Sequence, residues 1–152
     1  MPVLVDVRPT VARALGRARV ERWAARMLAS LRLGRAELSI VLTDDAEIHA
    51  LNRQHRKKDR PTDVLAFALR EGPHAAFAGD ALGDVVLSIE TARRQARAAG
   101  HGLADEATML LAHGLLHLVG YDHHTDAEEK EMKAATRTLE AAAAARKGAG
   151  RV

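Results

Sequence analysis

The chain has 152 residues, 47% hydrophobic and 28% charged, a balance that suits one soluble globular domain and argues against disorder. No apolar run approaches the roughly 18–20 residues that cross a bilayer, and the opening MPVLVDVRPT lacks the basic and apolar regions of a signal peptide. Cysteine is absent, so there is no disulfide framework, a cytosolic location is expected, and any transition-metal site must use His, Asp or Glu. The net charge of +3 is uneven: residues 1–100 carry 17 Lys/Arg against 12 Asp/Glu, and the remainder 6 against 8. Such a balance permits a polyanionic partner without requiring one.

In chain order, Pro2–Val7 alternates weakly and predicts a strand. Arg17–Leu33 has apolar residues at helical spacing, from Val20 and Trp23 to Leu31, with Gly34 as its terminating glycine. Glu37–Thr43 is a second strand. Asp44 with Glu47 three residues on gives a capping-box-like start to a helix. Thr62–Arg70 alternates as a third strand, Glu71–Leu82 is a loop, and Gly83–Ile89 is a fourth strand. Helices follow at Glu90–Ala99, from Ala104 to about Gly120, and at about Asp126–Ala144, with residues 145–152 expected to fray. The mixture predicts a single α+β domain over 1–152, a small four-stranded sheet packed with about five helices.

The stretch LLAHGLLHLVGYDHHTD, Leu110–Asp126, holds four of the eight histidines. Residues four apart on a helix lie about 40° from one another, on one face. His113 and His117 can therefore hold one ion. Gly120 can end the helix in a left-handed conformation and turn His123 back towards them. Histidine pairs on helices are commonly structural, but unliganded imidazoles on so apolar a helix would need costly hydrogen-bond satisfaction. His124 is a rival third ligand, which the spacing after Gly120 disfavours. The pattern H-x-x-x-H-x-x-G-x-x-H has the ligand spacing of metzincin zinc peptidases, and three imidazoles leave a fourth position open, as in catalytic zinc sites. Metzincins place the glutamate that acts as general base directly after the first histidine. Here that position is Gly114, so the ligands are kept and the peptidase base is not.

Three blocks, in order, resemble the YbeY family of bacterial metal-dependent endoribonucleases: HRKKDRPTDVLAFAL, LGDVVLSIETARRQA and HGLLHLVGYDH. Together they cover roughly Leu51 to Glu129. The resemblance implies an α+β fold with a small mixed sheet and a shallow groove. It places one zinc ion on His113, His117 and His123, and a functionally important arginine at Arg56. It also implies cleavage of single-stranded RNA in 16S rRNA 3′-end maturation and ribosome quality control, with the small ribosomal subunit and an Era-type GTPase as partners. Ala66, Ala68, His55 and Ile89 depart from the family pattern, and are expected around the groove.

Phosphodiester cleavage builds negative charge on the phosphate oxygens, which zinc can neutralise while lowering the pKa of water, so that less is asked of a protein base. Arg56 supplies complementary charge through its planar fork; on residues alone, RKKDR reads equally as a solvated basic loop. Asp122 either orients an imidazole or is a turn residue. Arg53, Lys57, Lys58, Arg60, Arg93, Arg94 and Arg97 are candidates to follow phosphates. Asp84, Ser88 and Glu90 are accounted for by a strand-end turn and a helix cap. With aromatics at 3%, RNA should be gripped mainly by its backbone, with weak sequence preference and strong salt dependence. Two other readings use the same ligands: a ribosome-assembly factor with a structural zinc, and another three-histidine metallohydrolase. Such ligands also accept nickel, copper or iron.

Overall fold

Burial that alternates along Val3–Val7 and Glu37–Thr43 and is nearly continuous along Ala81–Ser88 accompanies one sheet covered on both faces. The computed structural model describes residues 3–58, 60, 62–69 and 80–145. Strands β1 (Val3–Val7) and β2 (Glu37–Thr43) run parallel, β2 runs parallel to β4 (Ala81–Ser88), and β3 (Val64–Ala68) closes the far edge antiparallel to β4. The strand order is β1-β2-β4-β3. Register lines up Val5, Ile40, Val85 and Ala66 across the sheet on the face that joins the main core.

Onto that face pack α1 (Arg17–Ser30), against β1, and α4 (Leu103–Leu118), against β3 and β4. Helix α5 (Asp126–Ala144) lies against both α1 and α4, and α3 (Ile89–Ala99) against α4. Helix α2 (Asp45–Arg56) sits on the opposite face, where Ile48 buries against Leu65 and Val86 in a smaller cluster. Most of α4 is buried, as its continuous apolar sequence requires.

Among the described residues the mixed four-stranded sheet and five α-helices agree with the sequence expectation, and several boundaries differ. Helix α1 stops at Ser30, and Arg32 rather than Gly34 takes the left-handed conformation, φ 60°. The Leu33 N–H then donates to the Leu28 carbonyl at 2.7 Å, which returns Leu33 to the core. Strand β4 begins at Ala81, two residues early, because a bulge between Glu37 and Leu38 admits Leu82. Gly83 at φ 142° is required there, since a Cβ would fall 2.1 Å from the Phe67 carbonyl oxygen. Ile89 joins α3, whose N-cap is Ser88. At α2 only half of the expected capping box forms: Asp44 accepts from the Glu47 N–H at 2.9 Å, while the Glu47 carboxylate turns to Arg8 and Thr43. The complete box caps α5, between Thr125 and Glu128. Of the expected loop, 71–79 lies outside the described residues, as do Pro2, Arg70 and positions 146–152, where fraying is expected.

Candidate metal centre and its groove

The C-terminal half of α4 is held by contact with the sheet at Gly114. A Cβ there would sit 2.7 Å from Val85 Cγ1 and 3.1 Å from Val64 Cγ2, so glycine is what lets the helix lie this close. The same contact leaves no room for the carboxylate that a metzincin carries at this position. Four residues apart on that helix, His113 and His117 bring their Nε2 atoms to 3.1 Å.

The helix then ends as the sequence predicts. Gly120 has φ 101°, its N–H donates to the His117 carbonyl at 3.1 Å, and the Tyr121 N–H donates to the Leu116 carbonyl at 2.9 Å. That pair of bonds is a Schellman motif, and it reverses the chain so that His123 faces the helix. One ligand nitrogen from each of His113, His117 and His123 lies within 4.8 Å of the others, close enough to hold one metal ion. His113 and His117 are half-buried and His123 is exposed.

At His113 and His117 the electrostatics favour neutral, ligand-ready imidazoles. Burial, then the neighbouring His117, holds His113 below the ordinary histidine range, against the pull of Asp63. Burial, then His123, does the same for His117, opposed by Asp122 and by a hydrogen bond to the Tyr121 backbone and assisted by the positive charge of Arg56. Asp122 serves the turn: its Oδ1 accepts from the His123 N–H at 2.8 Å and its Oδ2 pairs with His124 Nε2 at 2.8 Å. The imidazole it engages is thus that of His124, which stands outside the ligand group.

Arg56 lies across the groove, at the end of α2. Its Nη2 donates to the Ala66 carbonyl at 2.5 Å, and its guanidinium lies 5.7 Å from the centre of the Phe67 ring. The Ala66 interaction uses the backbone carbonyl, so it does not depend on the side chain at that position. A cavity of about 900 Å³ runs between the histidines and Arg56, Lys58 and Arg60.

A family model described as endoribonuclease YbeY matches residues 10–143. The chain belongs to the endoribonuclease YbeY family. Relatives of that name include one from Aquifex aeolicus, 49% identical over 114 residues (74% of this chain, 73% of the relative). The Anaeromyxobacter dehalogenans relative is 47% identical over 85% of this chain, and the match spans 64% of its own length. In the Geobacter metallireducens relative the identity is 40%, over 82% of this chain and 85% of the relative. The solution structure of TM1509 from Thermotoga maritima superposes with a TM-score of 0.65 at 26% identity, covering 93% of this chain and 88% of that one.

Within this YbeY-family fold, not every sequence candidate reaches the groove. His55, Ala66 and Ala68 line it, as expected of the departures from the family pattern, but Ile89 is 1% exposed in the core. Lys58 and Arg60 line it, whereas Arg53, Lys57 and the arginines of α3 do not; Arg94 pairs with Asp45 at 2.9 Å. Asp84 sits inside β4 opposite Phe67 and is no strand-end turn residue. Sequence reasoning missed Asn52. Its side chain donates to the Arg60 carbonyl at 2.9 Å, and its own carbonyl accepts from the Lys58 N–H at 3.3 Å, so one buried residue shapes the basic turn. The signal was there: Asn52 follows the buried Ile48 by one helical turn, polar where the pattern calls for an apolar residue.

Proposed function

We propose that this protein is a zinc-dependent endoribonuclease that cuts single-stranded RNA in the groove between His113, His117, His123 and Arg56. The observation that carries the reading is the pairing of an open three-histidine donor set with a basic wall across one cavity. The donor set suits zinc, being all nitrogen with two of its three imidazoles held towards neutrality by burial. Zinc, when bound there, supplies Lewis-acid charge neutralisation and activation of water.

The remaining work falls to the protein's own side chains. Arg56, aimed by the Ala66 carbonyl and the Phe67 ring, takes two phosphate oxygens in its fork and neutralises charge as it accumulates on them. Lys58 and Arg60 hold the neighbouring phosphates along the turn that Asn52 shapes. Gly114 excludes a general-base carboxylate beside the first histidine, which speaks against peptide hydrolysis. A purely structural zinc is disfavoured because His123 is exposed and the site opens onto the groove.

The family resemblance supplies the setting. On this reading one domain over residues 1–152, holding one zinc ion, works in the cytoplasm on ribosomal RNA. It acts as an endonuclease in 16S 3′-end maturation and ribosome quality control, in contact with the small subunit and an Era-type GTPase. Among the described residues no helix is long and apolar enough to cross a membrane.

The test is cleavage of a single-stranded and a duplex oligoribonucleotide by zinc-loaded and chelator-stripped protein over a range of salt. The single strand should be cut only by loaded protein, with affinity falling steeply as salt rises. Zinc-loaded protein that leaves the single strand intact would sink the proposal.

A further inference from the structure

His113 and His123 also line a second cavity, of about 510 Å³, whose lining does not include Arg56. Its floor is built by periodicity. Met132, Thr136 and Glu140 recur at four-residue steps along α5, and Met109 lies one turn before His113 on α4. Met132 is 3% exposed and the Thr136 hydroxyl donates to the Met132 carbonyl, so this surface is largely apolar. At the rim Lys133 pairs with Glu129 at 3.1 Å, and Arg137 stands near Glu140.

The two cavities differ in charge. The first presents Arg56, Lys58 and Arg60, whereas the cations of the second are matched by Glu129 and Glu140. A strand crossing the histidines has a phosphate at the crossing and nucleotides on both sides. Its phosphates favour the cationic side, and an uncharged, flat, polarisable group suits the side floored by two thioethers. The volume falls within the about 300–1,000 Å³ of small-molecule pockets.

We infer that the slot between α4 and α5 binds the nucleobase of the nucleotide next to the phosphate held at the histidines. Met109 and Met132 contact the ring face, and Glu140 and Arg137 offer an acceptor and donors to the ring edge. This rests on the ribonuclease reading and adds to it a base contact on one side of the cleaved bond.

The chain's four methionines make a direct test: Met1, Met27, Met109 and Met132, of which Met27 is fully buried elsewhere in the core. Zinc-loaded protein carrying 13C-methyl methionine is titrated with adenosine monophosphate and, separately, with ribose 5-phosphate. The nucleotide should move the Met109 and Met132 methyl resonances upfield by ring current, leave Met27 in place, and bind about tenfold tighter than the sugar phosphate. Ribose 5-phosphate should leave both methyls unmoved. Met109→Trp, which fills the slot, should abolish the Met132 shift while zinc is retained. Methyls that stay in place under saturating nucleotide, or that move equally with the sugar phosphate, would overturn the inference. A base-specific shift in protein that cuts no RNA would keep the slot and sink the ribonuclease reading; cleavage with no such shift would do the reverse.

Discussion

His113 and His117 hang from a helix whose adjacent residues Ala112, Gly114, Leu116 and Leu118 are all buried, whereas Arg56, at the end of α2, and Lys58 and Arg60, beyond it, are exposed across the groove. The histidine wall takes its geometry from close packing between α4 and the sheet. The basic wall takes its geometry from a few polar contacts: Asn52 to the turn, and Arg56 to Ala66 and Phe67. One groove thus joins a side that tolerates little change to a side that tolerates much. Substitutions on the packed side should cost stability and metal together, and those on the solvated side should cost phosphate binding alone.

The largest break is expected at Gly114. Gly114→Ala places a Cβ 2.7 Å from Val85 Cγ1 and should lose about 1–2 kcal/mol net of its gain in helix propensity. Gly114→Glu, which restores the metzincin carboxylate, adds a buried charge and should lose more than about 3 kcal/mol. Urea unfolding checks both, and a stable Gly114→Glu protein would mean that packing does not set the histidine wall. Gly120→Ala should cost about 1 kcal/mol, because a residue with a Cβ must hold φ 101°, and should weaken zinc binding through His123. Zinc affinity that is unchanged in this variant would separate the turn from the site.

The smallest effect lies far from the groove. Hydrogen bonds from Arg8 and Thr43 hold Glu47 below the usual carboxylate range. Its folded pKa is the lower one, so its stabilisation is present above the unfolded value of about 4.3 and is lost as pH falls through the folded pKa. The pair is partly exposed, and solvent screens it. Glu47→Gln should therefore lower the melting temperature slightly at neutral pH and leave it unchanged in acid, where wild type and variant converge.

How much was legible beforehand follows the same division. The histidine triad, the glycine turn and the missing carboxylate were readable because helical spacing and left-handed caps are local properties of the chain. The bulge at Leu82 and the early start of β4 were not, since both answer to β2, distant in sequence; nor was Arg32 in place of Gly34, which turns on the return of Leu33 to the core. Asn52 belongs to both kinds: its polarity on a buried face was visible, but its partner Arg60 belongs to the tertiary structure. The second cavity needed α4 and α5 side by side, which no single segment discloses.

The division of labour across the groove is tested most directly by zinc content and single-strand cleavage in His117→Ala and Arg56→Ala, measured side by side. His117→Ala should lose both zinc and cleavage. Arg56→Ala should keep wild-type zinc and lose cleavage by a factor of about 10²–10³, as for removal of a group that stabilises transition-state charge. Arg56→Ala protein that cuts at the wild-type rate, or His117→Ala protein that cuts without zinc, would contradict the account.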